Sequence, residues 1–214
     1  MKAPNPLVRP PPQGLSREES ESMLGRAFEE DPLVVHVTPD ERRRRDAAAR
    51  IQGGMLRYAL HYGKVDYLGD MGALAVWLPP GEPHMTLPRM IRTGGLGVPF
   101  ALGFEAVWRL WRYSRLKDAL RREVTDGPHW YLVVLGVDPL RQRSGLGRTL
   151  LGLGLARADA GWHPAYLETL KEENVPFFER HGFEVRASAW LPDGGPRMWA
   201  MVRPPRAARA QEAS

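Results

Sequence analysis

Apolar and polar positions along the 214-residue chain change period several times, and each change marks an element. From residue 15, Leu24, Ala27 and Phe28 keep helical spacing behind Ser16 and Glu19, which stand where a capping box places them. Asp31-Pro32 breaks that helix. Residues 40–62 resume the helical pattern after Thr38-Pro39. Ile51, Met55, Tyr58, Ala59 and Tyr62 form its stripe, and Arg42-Arg43-Arg44-Arg45 lies off it as a solvated face. Residues 64–68 and 73–78 are strand-like, with Gly69-Asp70-Met71-Gly72 as a hairpin turn between them.

Residues 82–129 carry the weakest pattern. A short helix is expected over 87–93. Phe104, Val107, Trp108, Trp111 and Leu116 suggest a longer one whose tryptophans pack on a sheet. Residues 130–137 are a continuous apolar run and read as a buried strand. The leucine-rich residues 146–160 read as a helix, with Leu146, Leu150 and Leu153 on one face and Leu151 and Leu155 on another. Gly152 and Gly154 each cost about 1 kcal/mol relative to alanine there, which close packing against a strand would rationalise. A strand over 164–169 completes a parallel crossover. Glu172-Glu173-Asn174 opens a short helix that Gly182 ends, and residues 183–190 and 197–202 alternate as a final hairpin.

The expected architecture is therefore α/β (α+β), one domain over 15–202 with helices against a mixed sheet. Proline-rich residues 1–14 read as a flexible lead-in, with Leu7-Val8-Arg9 a short strand, and 203–214 as a disordered tail. A composition of 43% apolar and 26% charged residues supports a globular chain. The lack of cysteine excludes disulfides, thiolate chemistry and Cys-ligated zinc, and the six histidines show no metal-ligand spacing. The apolar region 96–111 is interrupted by Glu105 and Arg109 and is too short to span a bilayer, and no signal-peptide pattern is present. A cytoplasmic protein is the expectation.

A net charge of +5 suits an anionic partner. That charge gains meaning at one turn. Between the strand ending at Val137 and the leucine-rich helix stands Asp138-Pro139-Leu140-Arg141-Gln142-Arg143-Ser144-Gly145-Leu146-Gly147-Arg148. Glycines let main-chain amides approach a ligand, and a helix start offers unpaired amides and a positive dipole end. A tight turn without a ligand is one reading. A dinucleotide fingerprint is a second, with Glu168 near the place of its ribose-binding acid, although Leu150 stands where its third glycine belongs. An acyl-CoA site is a third.

Val137-Asp138-Pro139 followed by Gln142-Arg143-Ser144-Gly145-Leu146-Gly147 resembles the acyl-CoA motif of the GNAT N-acetyltransferase superfamily. Tyr166-Leu167-Glu168-Thr169 and Asn174-Val175-Pro176-Phe177-Phe178-Glu179-Arg180-His181-Gly182-Phe183 are similar to its second conserved block, in the wording of the puromycin-type bacterial enzymes. The resemblance implies a single GNAT-type domain whose mixed central sheet has splayed central strands, with 82–129 as a helical insertion near the acceptor site, where Trp108 and Trp111 would face an apolar or aromatic substrate as the alternative to packing on the sheet.

It also implies acetyl-CoA (coenzyme A) as cofactor and direct acetyl transfer to the amine of a small molecule. Nucleic acid and membrane are not expected partners, and the state is monomer or homodimer. Leu135, Gly136 and Val137 would meet the pantetheine arm through the backbone. Gln142, Arg143, Ser144, Gly145, Leu146, Gly147 and Arg148 would form the pyrophosphate turn, with Asn174, Phe178 and Arg180 as further cofactor contacts. Glu168 would be the general base. Phe178 departs from the family, where tyrosine commonly protonates the departing sulfur. Ser144 or Thr169 would be substitutes, and a binding protein with weak or no catalysis is the alternative.

Overall fold

The computed structural model of the chain describes residues 16–68, 72–81, 86–93 and 101–207. The lead-in with its short strand, the tip of the first hairpin turn and most of the tail lie outside these. Ser16 starts α1 (Arg17–Phe28) by the expected box: its hydroxyl accepts from the Glu19 amide at 3.1 Å, and Glu19 accepts from the Ser16 amide at 2.6 Å. Asp31-Pro32 does more than end that helix. Asp31 accepts from the Leu33 amide and Pro32 opens a short second helix, α2 (Pro32–Val37), which the breaker reading missed. In α3 (Glu41–Tyr62) Tyr58 is buried and Tyr62 packs on it at 4.9 Å. The arginine run is more than a solvated face. Arg45 pairs with Glu29 at 2.5 Å and Arg44 with Glu30 at 3.4 Å, tying α3 to the end of α1.

Strands β1 (Lys64–Leu68) and β2 (Ala73–Leu78) form the first antiparallel pair. Helix α4 (Leu87–Arg92) follows, then α5 (Phe104–Val124). In α5 the expected face holds only at Leu116, which packs against the core, and not at its large aromatics. Its buried or half-buried stripe is Ala106, Leu110, Tyr113, Lys117 and Leu120, while Phe104, Trp108 and Trp111 face outward. The two tryptophans satisfy each other instead, stacked at 4.8 Å.

The central strand β3 (Trp130–Val137) leads to the glycine turn, then α6 (Leu146–Ala160), β4 (Ala165–Thr169) and the short α7 (Val175–Glu179). The closing hairpin is β5 (Glu184–Trp190) with β6 (Arg197–Arg203). The last strand runs one residue beyond the expected domain end. Arg203 is held by Asp159 at 2.7 Å, and the Arg206 amide donates to the same carboxylate at 2.8 Å, so this start of the presumed tail is anchored.

The sheet order is β1-β2-β3-β4-β6-β5. Only β3 and β4 run parallel, as the crossover through α6 requires. One face packs against α1, α3 and α5, with Leu24, Leu56, Tyr131 and Tyr166 in its core. The other packs against α6 and α7, with Trp77, Leu150, Leu151 and Phe183. Leu153 is exposed, so the leucine run buries a narrower face than its density implied.

The two helix glycines separate cleanly. A methyl group at Gly154 would lie 2.1 Å from the Trp77 ring, whereas at Gly152 it would meet nothing within 4 Å. Gly154→Ala is expected to destabilise by about 1–3 kcal/mol through overpacking. Gly152→Ala should stabilise by up to about 1 kcal/mol through helix propensity. Denaturant melts of the two variants check the opposite signs.

Candidate active site

Strand β3 holds the feature that opens the sheet. Val76 faces Val134 and Trp77 faces Leu132, which leaves Val133 as an extra residue, a β-bulge. Pairing between β3 and β4 stops at the same place: Trp130, Tyr131 and Leu132 face Ala165, Tyr166 and Leu167, and no further pair forms. Beyond that point β3 remains paired with β2 as far as Val137, and β4 with β6 as far as Thr169. The strands diverge around an edge that β2 does not cover.

The turn after β3 is shaped by positive backbone angles, φ 63° at Arg143 and 87° at Gly145. Gly145 is the N-cap of α6 and offers no side-chain cap. The amides of Leu146, Gly147 and Arg148 in the first turn have no partner within their own helix. A Cβ at Gly145 would meet nothing within 4 Å. Asp138, mostly buried, fixes the approach to the turn by accepting from the Leu140 amide at 3.1 Å and from Arg26 of α1 at 2.5 Å.

A cavity of about 550 Å³ joins these features. Leu135, Gly136 and Val137 line it on the strand side, and Arg143, Gly145, Leu146, Gly147 and Arg148 at the helix mouth. Gln142, Asn174, Phe178 and Arg180 also reach it, as does Arg141. Ser144 does not, because its hydroxyl donates to the Arg141 carbonyl at 2.5 Å. Thr169 is likewise turned away, bonded to the Lys171 main chain at 3.2 Å, so neither proposed substitute acid lines the cavity. Phe178 packs edge-on against Phe177 and Phe183 and is 7% exposed.

Sequence reasoning missed the opposite wall, formed by Ala27, Phe28, Asp31 and Lys171. Burial raises the Asp31 carboxyl above its ordinary value, partly countered by its bond from the Leu33 amide. The signal for Asp31 was present as a cap before Pro32, although nothing local showed that it faces a cavity.

Glu168 does not line the cavity either, and stands on the same face of β4 as Tyr166. The Tyr166 hydroxyl donates to it at 3.0 Å, and the Tyr131 hydroxyl also bonds to it. Burial pushes its carboxyl pKa up, against the pull of Lys117, the two tyrosines and Arg121. Burial and the nearby Glu168 charge hold the hydroxyls of Tyr113, Tyr131 and Tyr166 protonated well beyond their ordinary range. A carboxylate in this setting is poised to take a proton nearer neutral pH than an exposed one.

Residues 102–183, which span α5, the bulged strand, the turn and α7, match the acetyltransferase (GNAT) family model. Over this stretch the chain is similar to the GNAT superfamily. An uncharacterised N-acetyltransferase of Schizosaccharomyces pombe is 25% identical over 77% of this chain and 69% of its own length. Two solved structures share the GNAT fold. A histone acetyltransferase HPA2-related protein from Corynebacterium glutamicum is 22% identical, with 91% of this chain and 93% of that one covered and a TM-score of 0.58. Arylalkylamine N-acetyltransferase 2 from Aedes aegypti is 13% identical, with 91% and 98% covered and a TM-score of 0.55. Acyl transfer is the chemistry that the family match implies. Among the described residues, no helix is long and apolar enough to cross a membrane, and no cluster of metal-ligating side chains occurs.

Proposed function

We propose that the protein transfers an acetyl group from acetyl-CoA directly to the amine of a small-molecule acceptor. The observation that carries this reading is that one cavity joins an uncapped, arginine-flanked helix start to the free edge of β3. A cofactor anionic at one end and extended at the other fits both. The amides of Leu146, Gly147 and Arg148, with Arg141, Arg143, Arg148 and Arg180, would hold its phosphates. Leu135, Gly136 and Val137 would receive its arm as a sheet edge receives an added strand. Gln142 supports that strand by donating to the Val137 carbonyl at 3.3 Å. Asn174 would flank the arm.

Acetyl-CoA supplies an activated acyl group when bound. The chain's own residues supply the rest. Glu168 takes a proton from the acceptor ammonium, directly or through water. The Leu135 amide offers a hydrogen bond to the thioester oxygen. The chain has no cysteine to carry the acetyl group, which favours direct transfer. Phe178 shields the sulfur end from water and has no proton to give.

That last feature favours one competing reading, an acyl-CoA-binding protein with slow turnover. Release of free thiol across a panel of amines separates the two. Turnover above the hydrolytic background supports transfer, and stoichiometric binding without thiol release supports the competitor. Phe178→Tyr should raise turnover about tenfold or more, below the roughly 10²- to 10⁴-fold of a fully placed acid. A flat rate at unchanged cofactor affinity would show that sulfur protonation is not limiting.

A further inference from the structure

Arg26 stands in the last turn of α1 and does not line the cofactor cavity, yet its guanidinium is tied to the first residue after β3. Nε and Nη2 both donate to one oxygen of Asp138, Oδ2, at 3.1 and 2.5 Å. Nη1 donates to the Ser22 hydroxyl, one turn back, at 3.1 Å. The other Asp138 oxygen, Oδ1, accepts from the Leu140 amide. The two oxygens of one carboxylate therefore have separate tasks: one caps the turn and the other joins it to α1. The Asp138 side chain is 11% exposed and that of Arg26 40%, so the acid is the shielded partner. Charge-assisted bonds of this kind are stronger than neutral ones.

Asp138 is a junction. Its amide donates to the Gly72 carbonyl at 2.9 Å, and its carbonyl accepts from the Arg141 amide at 2.8 Å. The Arg141 carbonyl in turn accepts from the hydroxyl of Ser144, next to Gly145 at the mouth of α6. A second contact lies two residues earlier in β3: a Cβ at Gly136 would stand 2.7 Å from Leu24 and 3.3 Å from Phe28 of α1. Helix α1 is thus pressed on the strand at Gly136 and pinned to the turn at Asp138, while Ala27 and Phe28, directly after Arg26, wall the cavity. We infer that Arg26 is a positioning residue for the cofactor: by holding Asp138 it sets where the diphosphate turn sits against β3 and α1. The inference rests on the phosphate site proposed above.

Charge alone predicts something different. A diphosphate is anionic, so losing the Arg26 charge would weaken binding through the field, and losing the Asp138 charge would tighten it. Positioning predicts that both changes weaken it. Asp138→Asn keeps an oxygen for the Leu140 amide but leaves no second acceptor for Arg26, so it removes the tie and retains the cap.

Calorimetry of acetyl-CoA binding to the full chain tests this. Arg26→Met and Asp138→Asn should each raise Kd about tenfold, and the double variant should lose little more than either single one, because both remove the same tie. The loss should appear in the KM for acetyl-CoA and fade at saturating cofactor, a split that a general loss of stability would not produce. Arg26→Lys should recover part of the affinity. Unchanged or tighter binding in Asp138→Asn would overturn the inference, as would fully additive losses in the double variant. If Arg26→Met does not fold, Asp138→Asn decides alone. Amide hydrogen exchange in the cofactor-free protein separates the tie from the phosphate site. Faster exchange at Leu140 and Arg141 in Arg26→Met, when even the wild type binds no acetyl-CoA, would uphold the tie and sink the proposed site instead.

Discussion

Gly145→Glu is expected to abolish measurable acetyl-CoA binding, at least a hundredfold in Kd by calorimetry, while the domain stays folded. The glycine sits at φ 87° as the cap of α6, with open space where a Cβ would project. Any L-residue there costs about 1–2 kcal/mol of backbone strain, a fraction of the roughly 5–15 kcal/mol that holds a domain together. Glutamate adds a negative charge where a diphosphate must settle. Gly145→Ala carries the strain without the charge and should lose less than about tenfold, equivalent to about 1.4 kcal/mol. Equal losses in both variants would assign the effect to backbone distortion. No loss in either would remove the phosphate site from this turn.

Glu168→Gln is expected to lower kcat by about 10²- to 10⁴-fold with little change in acetyl-CoA affinity. Glutamine keeps the shape and can still accept from the Tyr166 hydroxyl, but it cannot take a proton. The pH profile provides the sharper check. A general base works only when ionised, so activity falls as pH drops through its pKa. Burial raises that of Glu168 above the ordinary 4.5, so the acid limb should lie above 4.5 in the wild type and vanish from the variant's residual rate. A residual rate with the wild-type limb intact would place the base elsewhere, and Asp31 on the cavity wall would be the next carboxylate to test.

Much of this arrangement was legible along the chain because local signals agreed with one another. The capping box at Ser16, the strand 130–137, the glycine turn and the leucine-rich helix formed as their spacing indicated. Much of the cavity lining was legible for the same reason: its strand, turn and helix start are contiguous from Leu135 to Arg148. Ser144 failed because a hydroxyl in a tight turn bonds locally before it reaches a ligand. The far wall was not legible, since Phe28 and Asp31 reach the cavity only through the packing of α1 and α2.

Helix α5 shows the limit most clearly. Three large aromatics on one side outweighed the smaller residues on the other in a pattern reading, and a lysine marks the side that is buried. Lys117 at helical spacing from Leu110, Tyr113 and Leu120 was the available clue. Its meaning depends on the fold, which sets its Nζ 5.5 Å from the ring centre of Tyr131 on β3. The bulge at Val133 had no local signal, because an apolar run looks the same with or without one extra residue.

A crystal structure with acetyl-CoA tests the central claim most directly. The diphosphate should lie within hydrogen-bonding distance of the amides of Leu146, Gly147 and Arg148, with the thioester arm between β3 and β4 along Leu135, Gly136 and Val137. A cofactor seated elsewhere, or β3 and β4 paired past Leu132 and Leu167 in the complex, would contradict the account.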